Sequence, residues 1–312
     1  MYHAVTVKNL EKKFGGFTAV DRITFDVAQG EIFGFIGPNG AGKSTTIRML
    51  CGIILPTSGS GKVGGYDILA DQEKIKQTIG YMSQRFSLYE DLTVEENISF
   101  YSGMYRIPQK LKKERKEWIL EMAGLKELGG SLTKTLSGGW KQRLALGCSL
   151  IHDPKIIFLD EPTSGVDPIT RTSFWNLIKE MAKGGVTVFV TTHYMDEAEN
   201  CDRMALIYRG LLIAMGTPGE MKTKFMRDEV YKIDVSHPEE WSGKLAGVRG
   251  VKDTALFGTS IHAVVTDAHT AVPGMRRVFN DAGVAGYTVQ KIDPSLEDVF
   301  VSLIEEYDKK AI

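Results

Sequence analysis

The stretch GPNGAGKST, Gly37 to Thr45, fits the pattern G-x-x-x-x-G-K-[ST]. Gly37, Pro38, Asn39, Gly40, Ala41 and Gly42 would form a turn whose bare backbone N–H groups curl around phosphates. The helix expected to follow adds its partial positive charge. Lys43 would reach the β- and γ-phosphates, and Ser44, ahead of Thr45, would ligate Mg²⁺. A second group of residues closes the run KIIFLDEP, which ends in Asp160 and Glu161. A carboxylate at the C-terminal tip of a buried strand sits where α/β sheets hold their ligands. Asp160 suits the metal, and Glu161, one residue further on, can polarise an attacking water as a general base. The third group is TLSGGWKQR, where Ser137, Gly138 and Gly139 precede a helix-like run. Either Ser137 is a plain helix cap or this is another anion cradle, far from the first.

These residues need a scaffold. Apolar alternation marks strands at about 4–8, 22–27 and 31–36, the last leading into the glycine loop and then a helix. Helical patterns occupy about 86–150, and Thr93 with Glu96 reads as a capping box. Lys110 to Glu121 reads as a solvated helix face. KIIFLD and VTVFVTT are continuous apolar runs, as in parallel strands buried on both faces. Between them, Asp167 and Pro168 mark the start of a helix running to about 183. The result is an α/β sheet interrupted by a helical insertion. Past about 225 the order becomes β-α-β-β-α-β, a small ferredoxin-like α+β domain. The expected division is therefore 1–225 and 226–312.

Bulk properties exclude several classes. The chain has 312 residues, 43% hydrophobic and 25% charged, with a formal net charge of -1. That balance gives no basis for a nucleic-acid-binding surface. Cys51, Cys148 and Cys201 form no CxxC pair and are expected as buried thiols. The N-terminal MYHAVTVKNLEKKF alternates like a strand, unlike a signal peptide. No apolar run approaches the ~18 residues of a membrane helix.

The order P-loop, Ser-Gly-Gly, Asp-Glu and then His193 at the tip of VTVFVTTH resembles an ATP-binding cassette (ABC) transporter ATPase over residues 3 to 225. The resemblance implies a P-loop nucleotide hydrolase core with antiparallel β and helical subdomains. It also accounts for two cradles: Ser137, Gly138 and Gly139 would close over the ATP held by the P-loop of a second, antiparallel cassette. Gln84, in YMSQRF, resembles the glutamine that touches Mg²⁺ or the attacking water and senses the membrane partner. His193 resembles the histidine that contacts the γ-phosphate and orients that water. Asp167 matches the loop linking the two sites across the dimer, and also reads as a helix cap. Phe14 would stack on adenine, with Phe17 as its rival. Trp140 departs from the family, which more often has a smaller residue there. The segment from Gln84, with Phe86, Tyr89 and Tyr101, would receive a short helix of the membrane subunit, unless those aromatics are core. DPSLEDVF, Asp293 to Phe300, resembles the drug- and antibiotic-export branch of daunorubicin-type cassettes.

The resemblance thus implies ATP hydrolysis with Mg²⁺, a homodimer of ATPase subunits, and a separate transmembrane permease. The chain would sit peripherally on the cytoplasmic face of the cell membrane, and nucleic acid would not be a partner. Two rival readings remain. A soluble cassette ATPase acting on DNA or ribosomes would need a long coiled coil or a second P-loop. A ligand-gated importer ATPase would use the C-terminal domain as its sensor; otherwise that domain is regulatory or serves dimerisation.

Overall fold

A computed structural model describes residues 3–84, 87–226 and 228–310. The chain divides into two compact units, residues 1–218 and 219–312; the sequence pattern had suggested a break near 225.

The first unit opens with β1 (His3–Phe14), β2 (Phe17–Ala28), β3 (Ile32–Ile36), α1 (Lys43–Leu50), β4 (Ser58–Val63), β5 (Tyr66–Asp67), α2 (Gln72–Thr78) and β6 (Ile79–Met82). Three helices follow: α3 (Val94–Met104), α4 (Gln109–Met122) and α5 (Gly138–Leu150). The chain then returns to the sheet through β7 (Ile156–Asp160), α6 (Pro168–Lys183), β8 (Thr187–Thr192), β9 (Arg203–Tyr208) and β10 (Leu211–Gly216). One sheet has the order β10-β9-β3-β8-β7-β6 and is parallel except for β10. A second, antiparallel sheet has the order β2-β1-β4-β5.

Strands β3, β7 and β8 are buried along their whole length, which is why they carry no polar alternation. Phe25 of β2 meets Phe33 and Phe35 of β3 and Phe189 of β8 at ring separations of 5.6, 5.6 and 6.0 Å. This aromatic cluster belongs to the core that joins the antiparallel sheet to the parallel one. The opposite face of the parallel sheet is covered by α5 and α6 through Leu146, Phe174, Trp175 and Ile178. The helical insertion has its own core, built on Val94, Ile98, Ile119 and Leu144.

Local signals behave as the sequence suggests at several ends. Thr93 accepts from the Glu96 N–H while the Glu96 carboxylate accepts from the Thr93 N–H, a complete capping box. Asp167 caps α6 by accepting from the N–H groups of Ile169 and Thr170. Strands β1 and β2 are much longer than the alternation indicated. They form a hairpin whose register shifts at several points, and burial in β1 no longer alternates beyond residue 8, whereas β2 alternates from Ile23 to Val27. The three cysteines are buried and free, and burial pushes their thiols up. Among the described residues, no helix is long and apolar enough to cross a membrane.

Helix α7 (Pro218–Phe225) starts at the last residue of the first unit, and the second continues with β11 (Glu229–Asp234), α8 (Pro238–Ala246), β12 (Val251–Phe257), β13 (Ser260–Val265), α9 (Ala268–Asp281), β14 (Thr288–Ile292) and α10 (Leu296–Lys310). Its antiparallel sheet has the order β12-β13-β11-β14, the ferredoxin-like arrangement expected. The closing helix α10 was not anticipated. It is pinned by Asp298, which accepts from the Ser295 N–H and hydroxyl and lies 2.8 Å from His262 Nδ1 of β13. The DPSLEDVF segment thus starts a helix.

Candidate nucleotide site

The strand-loop-helix of β3 and α1 sets the site. Gly42 has φ 111°, and a Cβ there would lie 2.5 Å from the Ala19 carbonyl oxygen, so the turn accepts only glycine. The next residue, Lys43, points into the loop and donates to the carbonyls of Gly37 at 2.8 Å and Pro38 at 3.1 Å. Its Nζ also pairs with Glu161 Oε1 at 2.9 Å, with side chains only 4% and 6% exposed.

Glu161 stands at the end of β7 with φ 49°. That left-handed conformation is uncommon for a residue with a side chain. Its N–H donates to the Thr191 hydroxyl at 3.0 Å. Besides Lys43, its carboxylate accepts from Gln84 Nε2 at 3.2 Å and meets His193 Nδ1 at 3.1 Å. A carboxylate only accepts, so His193 presents Nδ1–H to it. Three residues from three separated segments therefore meet at one carboxylate.

Asp160 is buried beside it. Ser44 Oγ donates to Asp160 Oδ1 at 3.0 Å, and Thr191 Oγ1 donates to the same oxygen at 2.8 Å. Burial raises the Asp160 carboxyl above its ordinary range, while the bonds from Thr191 and Ser44 pull the other way. Thr191 escaped the sequence reading although it ties both acidic residues together. It faces Asp160 through the parallel register of β7 and β8, and the only trace in the sequence is a hydroxyl inside an apolar run.

An open groove borders this cluster and is lined by Phe14, Phe17, Ala19, Asn39, Gly40, Gly42, Lys43, Ser44, Thr45, Gln84 and Glu161. Phe14 and Phe17 are 51% and 64% exposed, so both rings remain available at its edge.

Ser137, Gly138, Gly139 and Asp167 do not line the groove. Ser137 occupies the N-cap position of α5 but makes no side-chain cap bond, unlike Thr93 and Asp167. Gly139 is pressed against α6: a Cβ there would lie 2.5 Å from Thr170 Cγ2. Trp140 packs on the helical-insertion core with the Arg143 guanidinium over its ring. Lys141 pairs with Glu90 at 2.7 Å, and Arg143 donates to the Ser173 hydroxyl. The basic residues after the glycines therefore have structural partners. Of the aromatics in the helical face, Tyr89 and its neighbour Phe100 are exposed and in edge-to-face contact. Tyr101 packs against the insertion core, and Phe86 lies outside the described residues.

The family model described as "ABC transporter" matches residues 20–164. The daunorubicin resistance ATP-binding protein DrrA3 of Streptomyces coeruleorubidus is 33% identical over 308 residues, 96% of this chain and 95% of that protein. The chain belongs to the ABC transporter family. Another ABC relative, the probable multidrug ABC transporter ATP-binding protein YbhF of Escherichia coli K12, is 54% identical over 225 residues. That match takes in 72% of this chain, which spans only 39% of YbhF. Among solved ABC structures, an ATP-binding cassette dimer in a post-hydrolysis state with ADP and Pi aligns with a TM-score of 0.62 and 28% identity. The alignment covers 68% of this chain and 98% of that one.

Proposed function

We propose that this chain is the ATP-binding and hydrolysing subunit of an ABC exporter, working as a dimer of cassettes with a separate transmembrane permease. The convergence of Lys43, Gln84 and His193 on the Glu161 carboxylate carries the reading. In it, Glu161 takes the proton of the attacking water, while His193 holds that carboxylate and the water in register. Lys43 would exchange its contacts to Gly37, Pro38 and Glu161 for phosphate oxygens, freeing the Glu161 oxygen it now occupies. The names of the multidrug and daunorubicin resistance relatives support an export role.

The oxygen donors present fit magnesium. The Ser44 hydroxyl, the Asp160 carboxylate and the Gln84 amide would hold it. Such a hard cation keeps waters and phosphate oxygens and needs few protein ligands. Bound there, it would neutralise charge on the phosphates.

Ser137, Gly138 and Gly139 would act on nucleotide held by a second copy. A charge-assisted hydrogen bond contributes about 1.5–3 kcal/mol, so a few across an interface would make closure depend on ATP. The dimeric form of the solved relative supports this. Peripheral attachment at the cytoplasmic face of the membrane, and a regulatory or dimerising part for residues 226–312, complete the reading.

Glu161→Gln tests it. Removing a general base lowers turnover by about 10²–10⁴-fold, and the variant should accumulate as a nucleotide-bound dimer on size exclusion. Wild-type hydrolysis by the variant overturns the reading.

A further inference from the structure

Beside the site lies a connected set of side chains that the proposed chemistry leaves unused. The Tyr194 ring packs against the His193 ring with centroids 4.1 Å apart. The Arg171 guanidinium also lies over the Tyr194 ring, 4.1 Å from its centroid. Both contacts use the ring and neither needs the hydroxyl. Arg171 lies one turn into α6, its N–H bonded to the Asp167 carbonyl, and its Nε pairs with Glu197 at 3.4 Å. Glu197 is 1% exposed, and the same carboxylate oxygen accepts from the Thr163 hydroxyl. Thr163 is two residues past Glu161, so one buried carboxylate holds both the loop after Glu161 and the arginine behind Tyr194.

Neither arrangement is a surface accident. The Glu197 charge is met by the Thr163 hydroxyl and by Arg171 as an ion pair without hydrogen-bond geometry, and Arg171 Nη1 also lies 3.7 Å from Asp196; this charge pairing draws Arg171 to its place. The planar guanidinium then faces an aromatic ring, its favoured partner. Tyr194 is in turn locked at the backbone, since its N–H donates to the Thr192 hydroxyl at 3.0 Å. The Tyr194 ring is thus in contact with both the His193 ring and the Arg171 guanidinium, while Nδ1 of His193 lies 3.1 Å from Glu161.

We infer that Tyr194, backed by Arg171 and Glu197, is a positioning residue that fixes the rotamer of His193 in which the Glu161 carboxylate can hold its Nδ1–H tautomer. The inference rests on the proposed role of His193 in hydrolysis. It adds that the helix capped by Asp167 reports its position to His193 through Arg171 and Tyr194. A displacement of α6 would then tilt the imidazole away from Glu161 without touching the P-loop.

The test uses the full chain with nitrogen-15-labelled histidine. In the wild type, His193 should appear as a single Nδ1–H tautomer by NMR; an Nε2–H tautomer ends the inference whatever the variants do. Tyr194→Leu removes the ring, and His193 should then show averaged tautomers, while Tyr194→Phe should keep the wild-type signature. In steady-state hydrolysis, Tyr194→Leu should lower kcat about tenfold with KM for ATP within about twofold, as for a loss of alignment and not of binding. Tyr194→Phe should restore kcat. An unchanged tautomer in a folded Tyr194→Leu protein, or a Phe variant as impaired as the Leu variant, overturns the inference. The NMR arm needs no turnover, so a failure of the hydrolysis reading itself would show separately, as normal turnover in Glu161→Gln.

Discussion

The P-loop cluster and the Ser-Gly-Gly corner of the cassette are built on opposite terms. In the first, Lys43, Ser44, Gln84, Asp160, Glu161, Thr191 and His193 are bonded to one another, and most are buried. In the second, Ser137 and Gly138 are exposed and the serine hydroxyl makes no cap bond. One region is bonded together within a single chain; the other leaves its serine exposed and without a cap bond. A site divided in this way fits a reaction centre assembled from two copies, each bringing one finished half and one open half.

The sharpest way to break that contrast is to mix variants. A Lys43→Ala copy and a Ser137→Ala copy should each be inactive alone, while their heterodimer should regain one working site, about half of wild-type turnover per dimer if the sites act independently. No recovery in a verified heterodimer, or full activity in an isolated monomer, removes the two-copy reading. The next effect is on stability. Lys43→Met strands the buried Glu161 carboxylate, which breaking a buried pair makes costly, about 3 kcal/mol by denaturant unfolding. Ser137→Ala should shift the same curve by less than about 0.5 kcal/mol, as for an exposed side chain that makes no cap bond. Equal losses at the two positions would erase the distinction.

Asp160 gives the smallest effect and sets its sign. Its carboxyl is raised by burial, so the folded state binds a proton more readily than the unfolded state. Ionisation of Asp160 therefore opposes folding above its folded-state value, and the opposition fades as pH falls through that value. Asp160→Asn should melt at or above the wild type near neutral pH, with the gap closing in acid, while losing magnesium-dependent nucleotide binding. A variant less stable than wild type at every pH contradicts this.

The legible parts of the molecule are those whose signals are local. KIIFLD and VTVFVTT announce buried strands through composition alone, and the Thr93–Glu96 box and the Asp167 cap are set by residues within one turn. The glycine loop was recognisable because three consecutive demands, turn, lysine and hydroxyl, fall in one short stretch. What escaped depends on distant partners. Thr191 matters only because β7 and β8 pair in a register that sets it opposite Asp160. The long β1–β2 hairpin is held by pairing whose register shifts at several points, and burial in β1 no longer alternates beyond residue 8. Helix α10 is anchored by His262, a residue from a strand earlier in the fold. Tyr194 and Arg171 are ordinary in the sequence and acquire meaning only when α6 brings the guanidinium over the ring.

The close seat of Gly139 on Thr170 has a mechanical consequence. With no room for even a methyl group between them, the start of α5 cannot slide past the start of α6 unless both helices give way. The serine loop and the Asp167 turn therefore form one stiff bracket, and an approaching protomer would meet them together or not at all.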